Sequence, residues 1–113
     1  MAAFTVNTTP AAGEWMIIDA YSTDVSTSTA LLADMTDHIY LVKDITILMP
    51  DTDDRWIKVF NDTTLAIGPM KPDGKIWNVH YESPMVFSGA IYVQTESDKQ
   101  IHVTMNYRVM PVV

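Results

Sequence analysis

His38, His80 and His102 are the side chains in this sequence best suited to metal or proton chemistry, since imidazole titrates near neutrality and is the commonest zinc ligand. No two of them stand at i, i+2 or i, i+4, so a shared ion would need three strands in register. Asp51, Thr52, Asp53 and Asp54 offer the oxygen donors that a hard cation takes from one short loop. The helix-loop-helix calcium pattern nevertheless fails at Arg55, where an acidic or amide residue belongs, and at Trp56, where glycine belongs. Solvated strand histidines and a solvated acidic turn are the plainer readings. For covalent chemistry there is no cysteine, no Gly-x-Ser-x-Gly, no glycine-rich phosphate loop and no His-Glu-x-x-His. The expectation is a protein that is not an enzyme and holds neither a metal nor a cofactor.

Aromatic residues say more. In Arg55–Phe60 (RWIKVF), a strand that turns Ile57 and Val59 to the core leaves Trp56, Lys58 and Phe60 on its other face. Large aromatics on an outer face mark contact surfaces. With Trp15 they make the candidate protein interface: Trp15, Trp56, Lys58 and Phe60. The competing reading is that a loop such as Thr23–Thr36 covers them within the same molecule.

These residues must be positioned by strands. From Gln100 to Met110, Ile101, Val103, Met105, Tyr107 and Val109 alternate with His102, Thr104, Asn106 and Arg108, the period of a strand with one buried face. If Ile101 and Trp77 point inward, His102 and His80 point outward. Glu14–Tyr21 reads as the first strand, and Ser22–Met35 as a loop, because Ala30–Met35 is too short for an independent helix. In His38–Met49 the odd positions Ile39, Leu41, Ile45, Ile47 and Met49 are apolar, Lys43 breaks the run, and Tyr40, Val42 and Leu48 make the other face partly apolar, which predicts a central strand covered on both sides and bent near Lys43 and Asp44. Arg55–Phe60 and Thr63–Ile67 form a hairpin across Asn61 and Asp62. Lys75–Tyr81, Met85–Phe87 and Ala90–Thr95 are further short strands, with breaks at Pro84 and at Ser88 and Gly89.

Seven to eight strands with turn signals roughly every eight to twelve residues predict an all-β, antiparallel β-sandwich. The Cys, Trp, Cys order of immunoglobulin domains is missing, so the expected form is jelly-roll-like. Residues 1–13, polar and interrupted by Pro10, read as a flexible N-terminal arm, and residues 14–113 as a single domain.

The 113 residues carry a net charge of −7, from 14 carboxylates against seven Lys and Arg. Affinity for phosphates comes from clustered Lys and Arg, so nucleic acid is excluded as a partner. No apolar stretch approaches the ~18 residues of a membrane span. The opening MAAFTVNTTPAAGEW has neither a basic start nor a continuous apolar run, so no leader is expected. Asn7-Thr8-Thr9 and Asn61-Asp62-Thr63 then match the glycosylation pattern by coincidence. Eight methionines are more than packing at this length needs, and core filling is the role expected for most.

The order of elements carries a resemblance. Ile45-Thr46-Ile47 is followed by a hairpin ending in Thr64-Leu65-Ala66-Ile67-Gly68-Pro69. Then come a Pro72-Asp73-Gly74 turn, Pro84 leading into Phe87-Ser88-Gly89-Ala90-Ile91-Tyr92-Val93, and a last strand with Val103-Thr104 and Tyr107-Arg108. Over residues 38–109 this resembles the small jelly-roll virion proteins of tailed bacteriophages, which include capsid decoration (cement) proteins. The resemblance implies a structural protein made in the host cytoplasm that forms a homo-oligomer, a trimer being favoured. It would dock on the major capsid protein at the outer surface of the head, and it carries over no catalytic residues. An alternative class is a carbohydrate-binding β-sandwich module or tail adhesin domain, in which Trp15, Trp56, Trp77 and the tyrosines would stack on sugar rings. A third, a cupin-like enzyme, would need His80 and His102 inside the barrel.

Overall fold

Along Ile101–Pro111 the alternation folds as read: Ile101, Val103, Met105 and Tyr107 are buried, and Thr104 between them is exposed. A computed structural model of the chain describes residues 3–10, 13–50, 56–71, 75–96 and 99–112. Among these there are nine strands and no helix: β1 (Thr5–Pro10), β2 (Met16–Ser22), β3 (Thr29–Leu32), β4 (His38–Leu48), β5 (Ile57–Asn61), β6 (Thr64–Met70), β7 (Ile76–Phe87), β8 (Ile91–Thr95) and β9 (Ile101–Pro111). The acidic turn at Asp51–Asp54 and the Pro72–Gly74 turn lie outside the described residues.

The strands form two antiparallel sheets, β1-β2-β9-β4-β7 and β3-β8-β5-β6. Within them β2 pairs with β9, β3 with β8, β4 with β7 and β5 with β6. The chain is thus one long antiparallel ribbon, β2–β5 running out and β6–β9 running back. Rolling that ribbon brings β4 against β9 and β5 against β8 and closes both sheets. This is the eight-strand jelly roll, two Greek keys in two layers, with β1 added outside β2.

Nine strands replace the expected seven to eight for three local reasons. Thr29–Leu32, read as loop, forms β3, which is too short to show a period but buries Thr29 and Leu31. Thr5–Pro10, within the segment read as an arm, pairs along β2 as β1 and is exposed throughout. The two strands expected over Lys75–Tyr81 and Met85–Phe87 are one, β7. Its register against β4 jumps from Val42↔Met85 to Asp44↔His80, so Tyr81–Pro84 bulge out opposite Lys43 alone. Pro84 therefore sits where no ladder hydrogen bond is required of it.

The irregularity at Lys43 also corrects the reading of the core. Against β9 the register passes from Val42↔Tyr107 to Asp44↔Asn106, so β4 carries one extra residue there. Because side chains alternate faces, one inserted residue exchanges the faces from that point on. Tyr40 and Val42 are buried before the bulge, and Ile45, Ile47 and Met49 after it. Ile39 and Leu41, expected inside, are half-exposed.

One core fills the space between the sheets, with Phe87, Ile18, Ile57 and Ile101 fully buried in it. Each such side chain contributes about 1.5–3 kcal/mol by leaving water. Val25, from the segment between β2 and β3, closes one end, and its carbonyl accepts a hydrogen bond from Thr95 N at 3.0 Å. Met49 and Met105 are buried and Met16, Met70 and Met85 pack against the core, while Met35 is exposed. Most of the described methionines are therefore core filling.

Candidate binding surfaces

The structure divides the four candidate interface residues between the two faces of the molecule. Ile57 and Val59 are buried, so β5 turns Lys58 and Phe60 to the outside of the four-stranded sheet, with Trp56 just before it. Lys58 Nζ lies over the Trp56 ring at 4.5 Å, a cation–π contact that shields one face of the indole. Trp56 is tied down by its backbone, its carbonyl accepting from Glu96 N at 3.2 Å. Trp15 lies apart, at the start of β2, beneath Lys43 Nζ at 5.5 Å from its ring centre. Trp15 and the Trp56 group thus belong to different sheets.

Pattern reading missed the partner of Phe60. Tyr92 on β8 stands directly opposite Phe60, and Leu65 of β6 opposes Phe60 on its other side. Within the 23–36 segment Thr29–Leu32 forms β3 beside β8, Val25 is buried, and Ser28 reaches the outward row, lining the same cavity as Phe60. Phe60, Tyr92, Ser28, Asp62 and Thr63 line a shallow cavity of about 330 Å³. The only signal in the sequence was Tyr92 at an outward position between Ile91 and Val93, which pairing with β5 then makes meaningful.

The histidines are dispersed. His38 faces Pro111 and Leu48 faces His102 at opposite ends of the β4–β9 ladder, a separation of about 30 Å at the rise of a strand. His80 is exposed on the outer face of the five-stranded sheet, its Nδ1–H donating to Asp44 Oδ1 at 2.5 Å. His102 shares that outer face and packs against the Tyr21 ring at 4.8 Å. Ile101 is buried and Trp77 packs on the core, so the outward placement of both histidines follows from the alternation. A cupin-like inward pair is contradicted.

A second concavity, of about 430 Å³, lies where β4 begins and includes Asp37, His38 and Ser88. His38 Nδ1 is 2.8 Å from the Thr36 carbonyl, while Ser88 Oγ accepts from Asn61 Nδ2 at 3.1 Å. The serine and histidine are thus bonded to other groups, not to each other. Nearby, the Tyr40 hydroxyl donates to the Ala33 carbonyl. Burial, and then the neighbouring Tyr107 and Asp34, push Tyr40 above its ordinary value. A hydroxyl so held is a structural donor. Burial likewise raises Tyr81.

No protein-family model matches this chain, and no curated protein matches it in sequence. Any statement about its role therefore rests on the chain's own surfaces.

Proposed function

We propose that this protein is a structural component of a tailed-phage virion, a capsid decoration (cement) protein. It forms a homo-oligomer, a trimer, and docks on the outside of the head, where it bridges neighbouring copies of the major capsid protein. The observation that carries the reading is β1. The five-stranded sheet has one strand more than the sheet facing it, and among the described residues β1 pairs with β2 alone, leaving its outer edge open. Val6 and Thr8 lie opposite Ala20 and Ile18 and so point to the core side, yet both are exposed, Val6 at 43%. An open edge that offers backbone donors, acceptors and an uncovered apolar side chain is a template for adding a strand from another molecule.

Trp15 stands on the same sheet, just ahead of the Met16 that pairs with Pro10, its ring beneath Lys43 of β4. This side is therefore assigned to the shell contact. The negative charge keeps free copies apart and soluble before assembly. Jelly rolls occur in viral shells, in lectins and in cupins, so the fold supports this reading only by analogy.

Sedimentation equilibrium of the purified chain tests the oligomer, and co-sedimentation with expanded, undecorated heads of the phage encoding it tests the docking. Expected are a trimer and saturable binding, with Val6→Lys and Thr8→Lys each weakening the association while the thermal transition stays within a few degrees. A strict monomer that ignores the heads would overturn the proposal.

A further inference from the structure

We propose that the cavity between Phe60 and Tyr92 is a binding site for one neutral pyranose unit of a glycan. It lies on the outer face of the four-stranded sheet, away from β1, so it remains open when the opposite margin is docked. Its floor is aromatic: Phe60 and Tyr92 are a cross-strand pair, and adjacent outward rings offer flat apolar faces to the C–H face of a sugar. Its remaining wall is made by Ser28, Asp62 and Thr63, residues that carry a carboxylate and two hydroxyls. A carboxylate accepts from vicinal sugar hydroxyls, and two hydroxyls that both donate and accept suit a ligand that does the same. The volume of about 330 Å³ lies at the lower end of the ~300–1,000 Å³ of small-molecule sites, too small for a peptide or a folded partner. Among the described residues of the lining the single charged one is Asp62, which disfavours sialic acids, uronic acids and phosphates and selects an uncharged sugar.

The polar wall is built in advance of any ligand. Asp62 holds a left-handed conformation, φ 55°, in the β5–β6 turn, and its N–H donates to the Ala90 carbonyl at 2.7 Å. Asn61 Oδ1 accepts from Gly89 N at 2.9 Å, tying the same turn to the loop before β8. A Cβ at Gly89 would approach Asp62 Cβ to 3.2 Å, so the turn is seated directly on that glycine. On the other side, Gln94 Nε2 donates to the Ser26 carbonyl at 2.9 Å and the Thr29 hydroxyl to the Thr27 carbonyl at 2.7 Å, which fixes Ser28 between them. Groups held this way lose little freedom on binding.

The test uses the purified full chain, with the methyl glycosides of glucose, galactose, mannose and N-acetylglucosamine as probes in saturation-transfer and titration NMR. Binding of at least one is expected, with shifts centred on residues 28, 60–63 and 92. Asp62→Asn, which keeps a residue tolerant of the turn, should weaken binding about tenfold, the worth of one charge-assisted hydrogen bond. Tyr92→Ala should abolish binding and Tyr92→Phe should retain it within about twofold, since stacking needs the ring and not the hydroxyl. Val86→Ala on the opposite sheet is the control. If no glycoside binds, or if binding survives both Asp62→Asn and Tyr92→Ala, the proposal is overturned. Should Tyr92→Ala fail to fold, Asp62→Asn decides. Head binding does not enter this readout, so failure of the cement reading and failure of the sugar site are separately visible.

Discussion

His80 Nδ1 meets Asp44 Oδ1 at 2.5 Å across β4 and β7, one residue beyond the point where Lys43 interrupts both of β4's ladders. The pair exists because of the interruption: the extra residue turns Asp44 outward as it turns Ile45 inward. Both side chains are more than a third exposed, so the contact itself is worth under ~1 kcal/mol.

The side chain of Lys43 and the extra residue it represents are separable. Lys43→Ala removes the cation over Trp15 and should cost at most ~1 kcal/mol in urea denaturation. Deleting Lys43 instead removes the extra residue, so Tyr40, Val42, Ile45 and Ile47 fall on one face of a regular strand and keep their places in the core. A cooperative transition is expected for the deletion; its loss would show that the bulge itself, and not the alternation on either side of it, holds β4 in place.

Adjacent positions on β7 should differ sharply. Phe87 is fully buried and Val86 is 53% exposed. Phe87→Ala should destabilise by about 3–5 kcal/mol through lost transfer energy and the cavity left behind. Val86→Ala should fall within ~0.5 kcal/mol of the parent by the same denaturation measurement.

Acid should loosen the segment that carries Val25. Asp24 accepts hydrogen bonds from Ser26 Oγ at 2.6 Å and Ser26 N at 2.9 Å. Those bonds, the hydroxyl first, hold its carboxyl down from the ordinary 3.8 to about 2. A lowered value means that the folded state favours the carboxylate. The contribution is complete above pH ~4 and is lost as pH falls through about 2. Thermal midpoints of the parent and of Asp24→Ala should therefore differ at pH 5 and converge near pH 2; a constant gap would contradict this.

Two positions discriminate between residue types by backbone conformation. Gly68 has φ 100°, and a Cβ there would lie 2.5 Å from the Ile57 carbonyl oxygen. Gly68→Ala should cost more than ~1 kcal/mol, because strain and overlap add. At Asp62, φ 55°, Asp62→Gly should be tolerated while Asp62→Val should lose roughly 1–2 kcal/mol by calorimetry, since a β-branched side chain resists the left-handed region.

Much of this architecture was readable one residue at a time. The inward set of β9, the inward Ile57 and Val59, the outward Trp56, Lys58 and Phe60, and the outward His80 and His102 all follow from the period of two, which is a local property of an extended backbone. β1 and β3 escaped because one is polar and exposed and the other has four residues, so neither could register a hydrophobic period.

Long-range pairing decided the rest. Nothing local in Lys43 says whether a strand bends or changes face; two ladders sharing one strand impose that. Phe60 and Tyr92 become a single surface, and Trp15 and Trp56 become two, only when the ribbon is rolled and β5 lies beside β8 rather than beside β2. Alternation tells a side chain which way to point, whereas strand order tells it whom to meet, and a binding surface is made of meetings.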